Sequence, residues 1–149
     1  MSSRNLETVH RFLDLVGEST DHKVIASSDI DFSRITALLT SEFVIRNPLF
    51  HPEHGIVKGV GDDIDGSLRG PDAIEIDLKA TASLFEFSVR NAELKDAGDV
   101  ILFLGNISVR GTESLRSMET GFVELFFMKD GLIDRIEPYL NVNAFRLIL

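Results

Sequence analysis

The stretch that most constrains the fold is the C-terminal run Met118–Leu149, METGFVELFFMKDGLIDRIEPYLNVNAFRLIL. Lys129-Asp130-Gly131 divides it into two apolar-rich segments, and Asp-Gly between strand-like runs is a strong local hairpin signal. Side chains alternate across a strand. Phe122 and Phe126 therefore share one face with Thr120 and Glu124, while Val123, Leu125 and Phe127 share the other. A strand that is apolar at both parities needs cover on both sides. Glu124 is the one acid inside its apolar core.

Upstream, Leu6, Val9, Leu13 and Val16 recur at helical spacing beside Phe12, and Gly17 closes the segment. Phe32, Ile35, Leu38 and Leu39 mark a second short helix, with Asp29 or Asp31 as its cap. Glu42–Phe50 is strand-like, and Pro48 breaks it or places it at an edge. From His51 to Pro71 the chain reads as a loop, punctuated by Gly55, Gly59, Gly61, Gly66 and Gly70. Loops of that length are commonly lids or mobile segments. Gly70-Pro71-Asp72 opens a third helix with Ile74, Leu78, Thr81 and Phe85 on one face. Strands follow at Phe85–Leu94 and Val100–Arg110, and then the hairpin. Helices early and antiparallel strands late predict an α+β fold. A cone-shaped, curved antiparallel sheet packs against three helices of the N-terminal half and encloses a pocket. With 149 residues and no internal boundary, the expectation is a single domain over 1–149. The second apolar face of the sheet points to a homodimer.

Composition narrows the function. A net charge of −9 argues against nucleic-acid and anionic-membrane partners, which rely on Lys and Arg to neutralise phosphate. The chain has no cysteine, and so neither a thiol nucleophile nor a thiolate metal site. MSSRNLETVHRF carries no apolar signal core and no run is long enough to span a bilayer, so a cytoplasmic location is expected.

Four features carry candidate chemistry. Glu124 lies at pocket parity between Phe122 and Phe126. An apolar cavity disfavours the charged form of a carboxylate, which suits proton transfer at neutral pH. The competing reading pairs Glu124 across strands with Arg110 or Arg116, or buries it at a dimer contact. Asn47 can donate and accept at once and so hold a substrate oxygen or water; it also fits a plain Asn-Pro turn. His51 opens the loop as a second acid or base, alongside Glu53 and His54, and exposed loop histidines are the plain alternative. A metal is not expected there, because His51-Pro52-Glu53-His54 lacks the helical zinc spacing. Gly61–Ser67, GDDIDGS, lacks the lysine of a phosphate loop and the closing glutamate of a calcium loop, and reads as a solvated turn.

The element order, Phe43–Pro48 before a glycine-led helix, and the ending Asp130-Gly131-Leu132-Ile133 … Tyr139-Leu140-Asn141 … Phe145 together resemble the nuclear transport factor two-like superfamily. The likeness is to its ketosteroid-isomerase and SnoaL-type polyketide cyclase branch and covers essentially the whole chain. It implies an apolar pocket and, often, a dimer. It also implies where the isomerase residues fall: the Asp-Pro base on Asn47-Pro48, the oxyanion tyrosine on Phe12, two further tyrosines on Leu39 and Leu78, and the protonated aspartate near Thr120. None keeps its chemistry, which excludes that isomerase mechanism. Relatives resembling limonene-epoxide hydrolase match at Asn47 but need an Arg-x-Asp pair and a late aspartate. Here those stretches read Gly105–Ser108 and Glu137–Asn141, so that triad is excluded too.

The resulting expectation is a cofactor-independent isomerase, cyclase or lyase working by acid/base chemistry. Its substrate would be a bulky, apolar, oxygenated molecule of polyketide, terpenoid or steroid type, such as secondary-metabolite biosynthesis supplies. Glu124, Asn47 and His51 would do the chemistry, and Phe12, Leu39, Leu78, Thr120, Phe122, Ile136 and Leu140 would form the substrate pocket. A non-catalytic ligand-binding or dimerisation module of the same fold is the alternative.

Overall fold

Helix α1, Arg4–Val16, forms on the predicted stripe: Val9, Phe12, Leu13 and Val16 are buried. The Ser3 hydroxyl accepts a hydrogen bond from the Leu6 N–H, and Gly17 ends the helix in the left-handed conformation, φ 78°. The computed structural model describes residues 3–17 and 30–149. Of the two proposed caps for the second helix, Asp29 lies outside the described residues. Asp31 fills the role, its carboxylate accepting from the Ser33 and Arg34 N–H groups.

That helix, α2, spans Phe32–Thr36 and is shorter than its apolar spacing suggests. Leu39 already belongs to strand β1, Leu39–Ile45, where Leu39, Phe43 and Ile45 alternate inward. Pro48 cannot donate to a ladder. The strand therefore stops before Asn47, and Pro48–Phe50 forms one 3-10 turn. The long loop is pinned rather than loose. Ile56 and Val57 N–H both donate to the Leu49 carbonyl, each at 2.9 Å. In the GDDIDGS stretch the Asp62 carboxylate accepts from the Ile64, Asp65 and Gly66 N–H groups, making a self-capped turn.

Strand β2, Leu68–Arg69, returns to pair with β1. Helix α3, Ala73–Ala82, buries Ala73, Ile74, Asp77 and Thr81. Phe85, read both as the end of this helix's apolar face and as the start of a strand, opens strand β3, Phe85–Asp96. Strands β4 (Val100–Gly111), β5 (Ser117–Lys129) and β6 (Leu132–Tyr139) complete the sheet. The hairpin run does not continue as strand to its end. Helix α4, Val142–Ile148, is capped by Asn141 and buries Phe145 and Ile148 three residues apart. Phe145 meets Phe85 edge-on at 5.1 Å between ring centroids.

The six strands lie in the order β2-β1-β6-β5-β4-β3. Adjacent strands are antiparallel except β1 and β6, which run parallel. The expected all-antiparallel sheet is corrected to this extent. The architecture is α+β, with a curved, unclosed sheet and helices mostly in the N-terminal half.

The hairpin turn has Asp130 at φ 53° and Gly131 at φ 76°. Paired positive φ is the signature of the primed turn that suits strand twist. A register shift between Phe127 and Met128 absorbs Asp134 as an extra residue. Beyond it, Phe126 faces Ile136 and Glu124 faces Pro138 on the inner side, while Val123 pairs with Tyr139 and Leu125 with Glu137 on the outer side. At the hairpin end the inner face is solid core: Ile101, Phe126, Ile133 and Ile136 are all fully buried. Phe12 packs edge-on against Phe126 at 5.6 Å.

Candidate functional site

Farther along the inner face the packing opens into a hollow bounded by α1, α3 and the concave side of the sheet. Phe12 and Val16 contribute from α1, Ile74 and Leu78 from α3, and Phe87, Phe103 and Phe122 from the strands. The space totals about 590 Å³. That figure includes volume bordered by Glu86, Ser88, Ser108, Arg110 and Ser117, whose register places them on the opposite sheet face from Phe87, Ile107 and Val109. The part under the helices is correspondingly smaller and mostly apolar, the usual character of a small-molecule site.

Three polar side chains stand out on this apolar wall. Glu124 enters from β5 opposite Phe103 and Pro138, as parity predicts. Arg110, one of its suggested ion partners, lies at the far end of the β4–β5 ladder opposite Ser117. Asn47 enters where β1 gives way to the 3-10 turn, and it is only 5% exposed. Asp77 enters from the middle of α3, 6% exposed.

Asn47 and Asp77 are bonded to each other: the Asn47 Nδ2 amide donates to Asp77 Oδ2 at 3.2 Å. The other end of the Asn47 amide is also committed, since its Oδ1 accepts the Leu49 N–H at 2.9 Å. A backbone N–H can only donate, so this bond fixes the amide with Nδ2 toward Asp77. The two readings of Asn47, turn former and polar group on the pocket wall, are thus combined in one side chain. Burial pushes the Asp77 carboxyl up from an ordinary 3.8 to about 7, and the Asn47 hydrogen bond partly offsets this. An acid poised near neutrality can give or take a proton with little driving force either way.

Of the residues proposed from sequence, Glu124, Asn47, Phe12, Leu78, Phe122 and Leu140 meet at this hollow. Leu39 and Ile136 are buried but belong to the solid core at the hairpin end, where Leu39 pairs with Ile133 and Ile136 with Phe126. Thr120 pairs with Ile107, two rungs beyond Phe122, and does not line the space. His51 is turned away by the 3-10 segment. Its Nδ1 accepts the Glu53 and His54 N–H groups, its ring stacks on His54, and it borders a separate, smaller hollow. There Arg46 bridges Asp65 at 3.0 Å and Glu137 at 3.3 Å, and the Tyr139 hydroxyl donates to Glu137. Those charges are matched internally.

Asp77 is the site residue that sequence reasoning missed. The signal was present: it lies three residues after Ile74 and four before Thr81, an acid within the apolar stripe of α3.

Comparison with protein-family models finds no match, and none of the curated proteins matches either. Solved structures do match over nearly the full chain. An NTF2-like protein from Burkholderia xenovorans superposes with a TM-score of 0.73 at 17% identity, covering 99% of this chain and 97% of that one. TerC, co-crystallised with polyporic acid, gives 0.70 at 19% identity, covering 98% of each. A Xanthomonas campestris protein named as a candidate polyketide cyclase gives 0.66 at 12% identity, covering 97% of this chain and 96% of that one. Among the described residues no helix is long and apolar enough to cross a membrane. With its element order, its curved open sheet and these full-length superpositions, the chain has the NTF2-like fold.

Proposed function

We propose that the protein is a cofactor-independent acid/base catalyst, an isomerase, cyclase or lyase, acting in the cytoplasm on a bulky, apolar, oxygenated small molecule. The observation that carries this reading is an apolar hollow with the carboxyl group of Glu124 and the fixed amide of Asn47 on its wall. Glu124 takes a proton from a carbon beside a substrate carbonyl and returns it elsewhere on the same molecule. Phe12, Leu78, Phe122 and Leu140 hold the substrate by shape. The structural neighbours named for polyketide cyclisation and isomerisation support the reaction class by analogy of fold. Polyketide, terpenoid and steroid-like ketones are the substrates to screen.

Conversion is read by mass spectrometry after incubation with such a panel. Turnover is expected in the natural protein, with a loss of about a hundredfold or more in Glu124→Gln at unchanged melting temperature. Normal turnover by that variant removes Glu124 from the mechanism. Ligands that stabilise the protein yet emerge unchanged assign it to the binding-module alternative, which the loss of the compared families' acids at Asn47 and Thr120 favours.

The outer sheet face supports a second proposal, a homodimer. Leu102, Leu104, Val123, Leu125 and Phe127 lie side by side there, with Val123 and Tyr139 exposed. Light scattering after size exclusion is expected to give twice the chain mass, falling to one in Val123→Arg. A natural protein that is monomeric at micromolar concentration rules this contact out.

A further inference from the structure

Asp77 is the buried ionisable group for which the scheme above has no use. Asp77 lines the hollow from α3 beside Ile74, Leu78 and Thr81, and the Thr81 hydroxyl is spent on the helix's own carbonyls. One oxygen is held by Asn47. Among the described residues the other, Oδ1, accepts no hydrogen bond. Asn47 is locked in turn by the Leu49 N–H, so it cannot rotate to present its own oxygen. A carboxyl on the wall of a largely apolar hollow, anchored by one oxygen, has the other left to meet a third group.

We propose that protonated Asp77, oriented by Asn47 as a positioning residue, donates a hydrogen bond to a neutral carbonyl oxygen and so selects uncharged ketone-type ligands for this cavity. The proposal rests on the reading of the hollow as a small-molecule site and adds which end of the ligand is recognised. An O–H donor aimed into an apolar wall rewards an acceptor oxygen and penalises a ligand lacking one, because the donor is then buried unpaired. A carboxylate ligand is disfavoured by the carboxyl groups of Asp77 and Glu124.

The charges around Asp77 leave its protonation to burial and Asn47. Glu75 and Lys79 of α3 pair with each other on the solvent side. Glu42 in the middle of β1, Arg46 just beyond its end and Arg69 of β2 follow the outward parity of Val44. Glu86 of β3 pairs with Arg110 on the opposite sheet face. His10, Arg11 and Asp14 of α1 are exposed. Glu124 shares the hollow from the inner sheet face, while Glu86 and Arg110 border the same space from the opposite face.

The probe is 9-fluorenone, a rigid neutral ketone, followed by its affinity and by its carbonyl stretching frequency in the infrared. At pH 5.5 the natural protein is expected to bind it with the stretch lowered by hydrogen bonding. With the Asp77 carboxyl titrating at about 7, affinity at pH 8.5 drops by about thirtyfold if only the protonated form binds. Asp77→Asn keeps a donor of the same shape and is expected to bind at both pH values without the step. Asp77→Leu keeps the fold, checked by circular dichroism, and loses the frequency shift. Asn47→Ala removes a bond that favours the carboxylate and moves the step to higher pH, a change that a purely structural role does not produce. Equal affinity and equal frequency in the natural protein and Asp77→Leu at both pH values overturn the role of Asp77 and leave the cavity reading standing. Absence of fluorenone binding by the natural protein overturns both.

Discussion

Asp77 also makes the stability of the fold depend on pH in a direction opposite to most aspartates. The carboxyl moves from an ordinary 3.8 to about 7 on burial, so the folded state binds its proton more tightly than the unfolded chain. Below the unfolded value both states are protonated and the group adds no dependence. Between the two values the unfolded chain is ionised and the folded protein is not, so stability falls as pH rises. Above about 7 both are ionised and the loss is complete. At about 1.4 kcal/mol for each tenfold change in proton affinity, the shift is worth about 4 kcal/mol. That is a large part of the 5–15 kcal/mol typical of a domain. Asp77→Asn removes the titration while keeping the shape and an oxygen to accept from Asn47. Urea unfolding of both proteins at intervals between pH 4 and 8.5 isolates the effect, since contributions common to both cancel. Asp31, Asp62 and Asp96, whose carboxyls are held below the ordinary range mainly by hydrogen bonds, are among those common contributions. The variant is expected to gain on the natural protein steadily from pH 4 to pH 7 and then hold its lead. A difference that changes by less than about 1 kcal/mol over that range refutes the burial argument.

Phe12→Ala, at the boundary between solid core and hollow, deletes an edge-on contact with Phe126 and is expected to cost about 3–5 kcal/mol in urea unfolding. A cost under about 1 kcal/mol means that the hollow extends further down than described. Gly131→Ala forces an L-residue to φ 76° in the hairpin turn, for a loss of about 1–2 kcal/mol by the same assay. An unchanged midpoint shows that the turn relaxes to another type.

The parts of the fold that were legible in the sequence are those governed by local periodicity. Alternation on β5 placed Glu124 inward and Val123 outward, because a strand offers only two faces and the Asp-Gly turn fixes the pairing. The α1 stripe was readable for the same reason. Parity does not say which rung of a face borders a void, so Leu39 and Ile136 were assigned to a pocket that begins only farther along the sheet, and Thr120 to one whose wall it does not join two rungs beyond Phe122. His51 was lost to geometry that no spacing encodes: one 3-10 turn after Asn47 re-aims it. The two-residue β2 is too short to show a period. Phe145 and Ile148 belong to a helix whose seven residues were absorbed into the neighbouring strand pattern. Asp77 was visible as an acid in an apolar stripe, but its partner is thirty positions away and comes into reach only in the folded chain.

The parallel pairing of β1 with β6 bears on the order of folding. Strands β3 to β6 join near neighbours through short turns, whereas Leu39 finds Ile133 and Ile45 finds Ile136 across most of the chain. Closing so long a loop is entropically slow relative to local hairpins, so β1 is expected to dock on a sheet already formed. Asn47 follows directly from β1, so the Asn47–Asp77 bond is completed only in that last step. Pulsed hydrogen exchange should then protect the amides of β4 and β5 before those of β1, and simultaneous protection would contradict this order. On this pathway the four-stranded meander arises as a scaffold, and the polar site becomes a product of the final closure.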